Sequence, residues 1–136
     1  MTVLIDTSAW IEYFRSTDSA QADVIRGLAE MGEGFNTCGP VTMEVFAGAG
    51  SRSNLDTMRR ILEHGFDIPV GLEHFEEAAT LYRTCRSEGY TIRSLIDCLI
   101  AVVALSEDVE ILHHDRDFNA IAQVVPLRVH PASLAV

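Results

Sequence analysis

Four acidic residues stand where short aliphatic runs stop or where helices begin. Asp6 follows Val3-Leu4-Ile5, Glu44 lies one turn beyond Pro40, Asp97 lies three residues beyond Ser94, and Asp115 follows Ile111-Leu112 and two histidines. Two ionised carboxylates about 4 Å apart repel by about 4 kcal/mol at an effective dielectric of about 20, so such a group stays charged only with a positive partner. Lys is absent, and all 10 basic residues are Arg. The natural counterion is then a hard divalent cation with oxygen ligands, Mg²⁺ or Mn²⁺. Such an ion lowers the pKa of a bound water and offsets the charge of an attacked phosphodiester, so metal-dependent phosphodiester cleavage is the expected chemistry. In this reading Asp6 and Asp97 touch the metal directly, and Glu44 and Asp115 complete the ligand set and orient water. Asp117 belongs to a second, weaker metal position.

For these acids to meet, the chain must bring distant segments to one edge. Thr2 to Ile5 reads as a strand buried on both faces, and further strands are expected at Phe35 to Cys38, Phe66 to Val70, Glu110 to His114 and Leu127 to His130. Pro69 makes the third of these an edge candidate. Between them, helical patterns run from Ala9 to Phe14, Ser19 to Met31, Pro40 to Ala47, Leu55 to Leu62, Leu72 to Cys85, Leu95 to Leu105 and Phe118 to Ala122. This alternation predicts an α/β fold with a central parallel sheet of about five strands and helices on both faces. In such folds strand C-termini and helix N-termini share the edge where ligands bind.

Every acid but Asp6 also has a purely architectural explanation. Ser94-Leu95-Ile96-Asp97 has the form of a capping box, Asp115 or Asp117 suits an N-cap, and Glu44 is favoured by the dipole of its helix. Asp6 resists this treatment, because an acid at the end of a buried strand is desolvated without a partner. Thr7 and Ser8 serve equally well as helix caps or as groups that bond Asp6 or phosphate. Arg93 and Arg116 flank the predicted cluster, either to hold substrate phosphates or as salt-bridge partners.

Length and composition set the outer limits. The 136 residues fit a single domain over 1–136, and 48% apolar against 22% charged residues is the balance of a chain that folds around a core. Without Lys, the phosphate loops and phosphoacceptor sites that rely on an ammonium are excluded. A net charge of -10 argues against nonspecific coating of nucleic acid and confines any such contact to a local patch. Cys38, Cys85 and Cys98 form no CxxC pair. The N-terminal residues lack the basic region and cleavage site of a signal peptide, and no apolar stretch is long enough to span a bilayer. A cytoplasmic protein without a membrane segment is the expectation.

Val3-Leu4-Ile5-Asp6-Thr7-Ser8-Ala9-Trp10-Ile11, Val41-Thr42-Met43-Glu44-Val45, Ser94-Leu95-Ile96-Asp97-Cys98-Leu99-Ile100-Ala101 and Asp115-Arg116-Asp117-Phe118, taken together, resemble the PIN-domain ribonucleases. The similarity is specifically to VapC-type toxins of bacterial toxin-antitoxin pairs and covers essentially the whole chain. It implies a PIN-like three-layer α/β/α fold and a Mg²⁺- or Mn²⁺-dependent endoribonuclease with acids at Asp6, Glu44, Asp97 and Asp115. It further implies a homodimer that halts translation by cutting tRNA, rRNA or mRNA, and a VapB-type antitoxin that occludes the acidic site, commonly with an arginine. One departure concerns the residue before the fourth acid, often small and polar in the family. Here it is His114, preceded by His113, and both are read as structural. Two other readings remain open: a noncatalytic acidic module that holds a basic protein partner, and a metal phosphatase acting on small phosphoesters.

Overall fold

The computed structural model describes residues 3–134, so the expected contribution of Thr2 to the first strand lies outside the described residues. Four strands, β1 (Val3–Ile5), β2 (Asn36–Cys38), β3 (Phe66–Ile68) and β4 (Glu110–Leu112), form one parallel sheet in the order β3-β2-β1-β4. Val3, Leu4 and Ile5 are all buried. Because successive strand residues face opposite sides, helices must cover both faces of the sheet.

Seven helices among the described residues supply that cover: α1 (Thr7–Phe14), α2 (Ala20–Met31), α3 (Gly39–Ala47), α4 (Arg52–Leu62), α5 (Leu72–Ser87), α6 (Leu95–Glu107) and α7 (Arg116–Val124). α6 is the central one. Every residue from Asp97 to Ala104 in it is buried, as its unbroken apolar run requires. β3 sits at the sheet edge, where Pro69 just beyond it removes no ladder bond from a neighbour.

The expected fifth strand is reduced to a single parallel bridge between Ile111 and Val129. The backbone there still pairs, since Ile111 N–H donates to the Arg128 carbonyl and His130 N–H donates to the Ile111 carbonyl, both at 2.9 Å. Pro126 precedes this segment and cannot donate, which shortens the ladder. α7 starts two residues earlier than the apolar pattern indicated, because Asp115 and not a later residue is its N-cap.

Candidate metal centre

The C-terminal ends of β1, β2 and β4 lie side by side, and the site is built on that edge. Ile5 is level with Leu112 in the sheet, and Asp6 N–H donates to the Leu112 carbonyl at 2.9 Å. Asp6 is the N-cap of α1, so the expectation that Thr7 or Ser8 would cap this helix is corrected. Its Oδ2 accepts from Ser8 N–H at 2.9 Å and from Ser8 Oγ at 2.6 Å. Ser8 Oγ in turn accepts from His114 N–H at 2.8 Å and ties the ends of β1 and β4 together. The other carboxylate oxygen, Asp6 Oδ1, is buried with no hydrogen-bond partner among the described residues. Thr7 Oγ1 donates to Glu44 Oε1 at 3.0 Å, which fixes the acid of α3 against the start of α1.

On the other side, Ser94 caps α6 by accepting from Ile96 N–H at 3.2 Å. The reciprocal half of a capping box, in which Asp97 would reach back to Ser94 N–H, is not formed, and no donor reaches the Asp97 carboxylate among the described residues. Asp97 therefore points its charge elsewhere. One of its oxygens and one each from Asp115 and Asp117 lie within 4.8 Å of one another. Asp115 Oδ1 caps α7 by accepting from Asp117 N–H at 3.0 Å. His113 Nδ1 accepts from Asp115 N–H at 3.1 Å, and its ring packs on Phe118 at 5.1 Å. Burial holds this imidazole down to about 4, so it is a neutral acceptor that sets the Asp115 backbone.

The electrostatics record how tightly the acids are gathered. Burial pushes the Asp97 carboxyl up to about 8, and the charges of Asp6, Asp115, Asp117 and Glu44 add to the shift. Burial also raises Asp6 to about 6 despite its two bonds from Ser8, with Glu44 and Asp115 contributing repulsion. A pocket that protonates its own acids near neutral pH is one that a cation would relieve. Cys38 and Cys98 are buried close by, but burial raises them to about 11 and 12, so they stay thiols. The available ligands are hard carboxylate oxygens with one buried oxygen left unbonded, a donor set suited to a hard divalent cation.

All five sequence-predicted acids thus come together, though in a different grouping. Asp117, assigned to a secondary position, belongs to the tightest oxygen trio, while Asp6 and Glu44 stand beside it. Thr7 and Ser8 are committed to acids. Arg93 is a salt-bridge partner, with Nη2 at 2.9 Å from Asp115 Oδ1 and Nε at 3.2 Å from Asp117 Oδ2. Among the described residues the cluster therefore has one internal cation, and it is the salt-bridge role of Arg93 that the structure shows. Arg116 is exposed and forms no ion pair among the described residues. The positioning role of His113 was missed; its place two residues before an expected N-cap was the available signal. A cavity of about 600 Å³, with Trp10, Ile25 and Phe35 in its lining, contains none of these five acids. A smaller one of about 230 Å³ opens beside Glu44 and Arg15.

Comparison with known proteins follows the same lines. Residues 3–124 match the family model described as the PIN domain. The chain is 39% identical over 129 residues to a VapC ribonuclease of Mycobacterium bovis and, equally, to ribonuclease VapC11 of Mycobacterium tuberculosis; each alignment covers 93% of this chain and 96% of the relative. Among solved structures, VapBC2 from Rickettsia felis bound to a DNA fragment from its promoter superposes with a TM-score of 0.73 at 18% identity, covering 96% of this chain and 98% of that one.

Proposed function

The chain belongs to the PIN-domain family, and on that footing we propose that it is a divalent-metal-dependent endoribonuclease, the toxin of a VapBC-type pair. The observation that carries this reading is the buried, unbonded Oδ1 of Asp6 beside a carboxylate, Asp97, that no donor satisfies. Its membership in a family with named ribonucleases supplies the substrate class.

Asp6, Asp97, Asp115 and Asp117 would hold Mg²⁺, with Mn²⁺ substituting, and Glu44 stands at the rim. When bound, the ion activates water and offsets phosphodiester charge. The chain's own contribution is placement. Ser8 locks one oxygen of Asp6 and leaves the other free, Thr7 orients Glu44, and His113 fixes the backbone of Asp115. The cavity beside Glu44, with Ile11, Phe14, Arg15 and Asn54 in its wall, offers apolar and basic contacts to an RNA strand. Exposed Arg116, next to Asp115 in the chain, offers a further cation to phosphate.

The whole chain acts as one nuclease domain in the cytoplasm and inhibits translation by cutting tRNA, rRNA or mRNA. No helix among the described residues is long and apolar enough to cross a membrane. Exposed Leu72, Phe75 and Leu95 provide apolar surface for a homodimer. A VapB-type antitoxin neutralises it, its basic groups matched to the acidic pocket.

Purified chain, freed of antitoxin, should cut RNA with Mg²⁺ or Mn²⁺, and EDTA should stop it. Cleavage that continues in EDTA, or that Asp97→Asn leaves intact, would overturn this reading.

A further inference from the structure

Arg93 closes over two members of the oxygen trio from outside. Its Nη2 donates to Asp115 Oδ1 at 2.9 Å, and its Nε donates to Asp117 Oδ2 at 3.2 Å and Oδ1 at 3.4 Å. Both oxygens of Asp117 are thereby taken by one guanidinium. The side chain is nevertheless 62% exposed, so it can swing into water without opening the core.

These contacts are not what holds the acids in place. Asp115 is fixed as the cap of α7 and through His113, and Asp117 Oδ2 also accepts from the backbone N–H of Arg93 at 3.1 Å. Both anchors survive departure of the guanidinium. What the guanidinium supplies is positive charge, on both oxygens of Asp117 and on Oδ1 of Asp115, two of the three residues that could hold a cation.

We propose that Arg93 is an internal counterion that competes with the divalent cation for Asp115 and Asp117, closed on them in the metal-free protein and displaced as the cation enters. The inference rests on the metal-centre reading above and assigns Arg93 a role apart from holding substrate phosphate. It gives the toxin a latent state that is stable without metal, in which a cluster of five acids is partly neutralised by the chain itself. Exposed Arg116, in the first turn of α7, is not engaged with these acids and does not duplicate the role.

Mn²⁺ is titrated by calorimetry into chelator-stripped wild type, Arg93→Gln and Arg93→Lys at low ionic strength. Arg93→Gln should bind Mn²⁺ about fivefold tighter or more, the lower end of ordinary coupling between two ligands of one protein. Arg93→Lys should fall between, because a single ammonium cannot grip two carboxylates as a fork does. Added salt should shrink the difference. Without metal, Arg93→Gln should melt below wild type, and Mn²⁺ should raise its melting temperature by more. A plain surface ion pair would leave Mn²⁺ affinity unchanged, and a positioning role would weaken it; either result overturns the inference. Should Arg93→Gln fail to fold, the Lys variant carries the same comparison. Wild-type binding with no gain in the variants sinks this inference alone, whereas no binding in any of the three also sinks the metal-centre reading.

Discussion

Replacing Asp97 with Asn should make the metal-free protein more stable, although Asp97 sits at the heart of the site. Asp97 is only 7% exposed, and burial with four acidic neighbours raises its carboxyl from 3.8 to about 8. Between those values the folded state holds a proton that the unfolded chain releases. The contribution of Asp97 to stability is therefore greatest below about pH 4, falls as pH rises toward 8, and levels off above it. At pH 7 the gap of roughly 3 units, at 1.36 kcal/mol each, sets a ceiling of about 4 kcal/mol. Water entry and rearrangement of neighbouring side chains reduce this, and about 2 kcal/mol should remain. Asn carries no such penalty, so it should melt higher by roughly 6–10 °C for a domain of this size. Circular dichroism melts in EDTA from pH 4 to 9 measure the gap directly. It should vanish at pH 4 and widen toward pH 8. Mn²⁺ at about 100 times its dissociation constant should restore about 2.7 kcal/mol to wild type and far less to the variant. An Asn variant no more stable than wild type at pH 7, or a gap that ignores pH, refutes the reasoning.

Three further outcomes follow from the same geometry. Asp6→Asn keeps an oxygen to cap α1 through Ser8, so the fold should survive while RNA cleavage and calorimetric Mn²⁺ binding fall by about 100-fold or more, beyond the usual loss for an outer ligand partner. Thr7→Val removes the one bond that aims Glu44; denaturant unfolding should change by about 1 kcal/mol and cleavage rate by about tenfold. Gly65→Ala drives a Cβ into the ring of Phe35 and should lower the urea midpoint by an amount equivalent to about 1–3 kcal/mol, while the rate per folded molecule at low temperature stays unchanged.

The order of strands and helices was legible because the chain marks its boundaries with residues of one conformational use. Gly32 adopts φ 66° at the end of α2, Pro40 opens α3, and Ser19, Ser51 and Ser94 each cap the helix they precede. The fifth strand was overread because Leu127 to His130 has the apolar pattern of a strand but enters from Pro126 and pairs through one residue only. In the site, the identities of the acids were legible and their grouping was not. Which oxygens approach depends on rotamers and on loop packing between α6 and α7, information absent from spacing along the chain. Arg93 was legible as a neighbour of the cluster, but a separation of 22 and 24 residues from its partners did not decide between phosphate binding and a salt bridge.

Capping and metal binding look like rival explanations of Asp6 and Asp115, yet a carboxylate has two oxygens. Asp6 spends Oδ2 on Ser8 and leaves Oδ1 bare; Asp115 spends Oδ1 on the start of α7. Capping alone does not account for the choice of acid. Asn and Ser cap about as well as Asp, each contributing about 1 kcal/mol. Neither would bring the repulsion of about 4 kcal/mol that two close carboxylates feel at an effective dielectric of about 20. A chain selected only for stable helix starts would use the neutral caps, as this one does with Ser19 and Ser51, whose helices begin away from the cluster. Among the described residues charged caps are confined to α1 and α7, whose caps are themselves cluster acids, whereas α3 and α6 start from Cys38 and Ser94 and bring their acids from inside the helix. That partition, stable caps elsewhere and destabilising ones here, is the mark of charge kept for a cation.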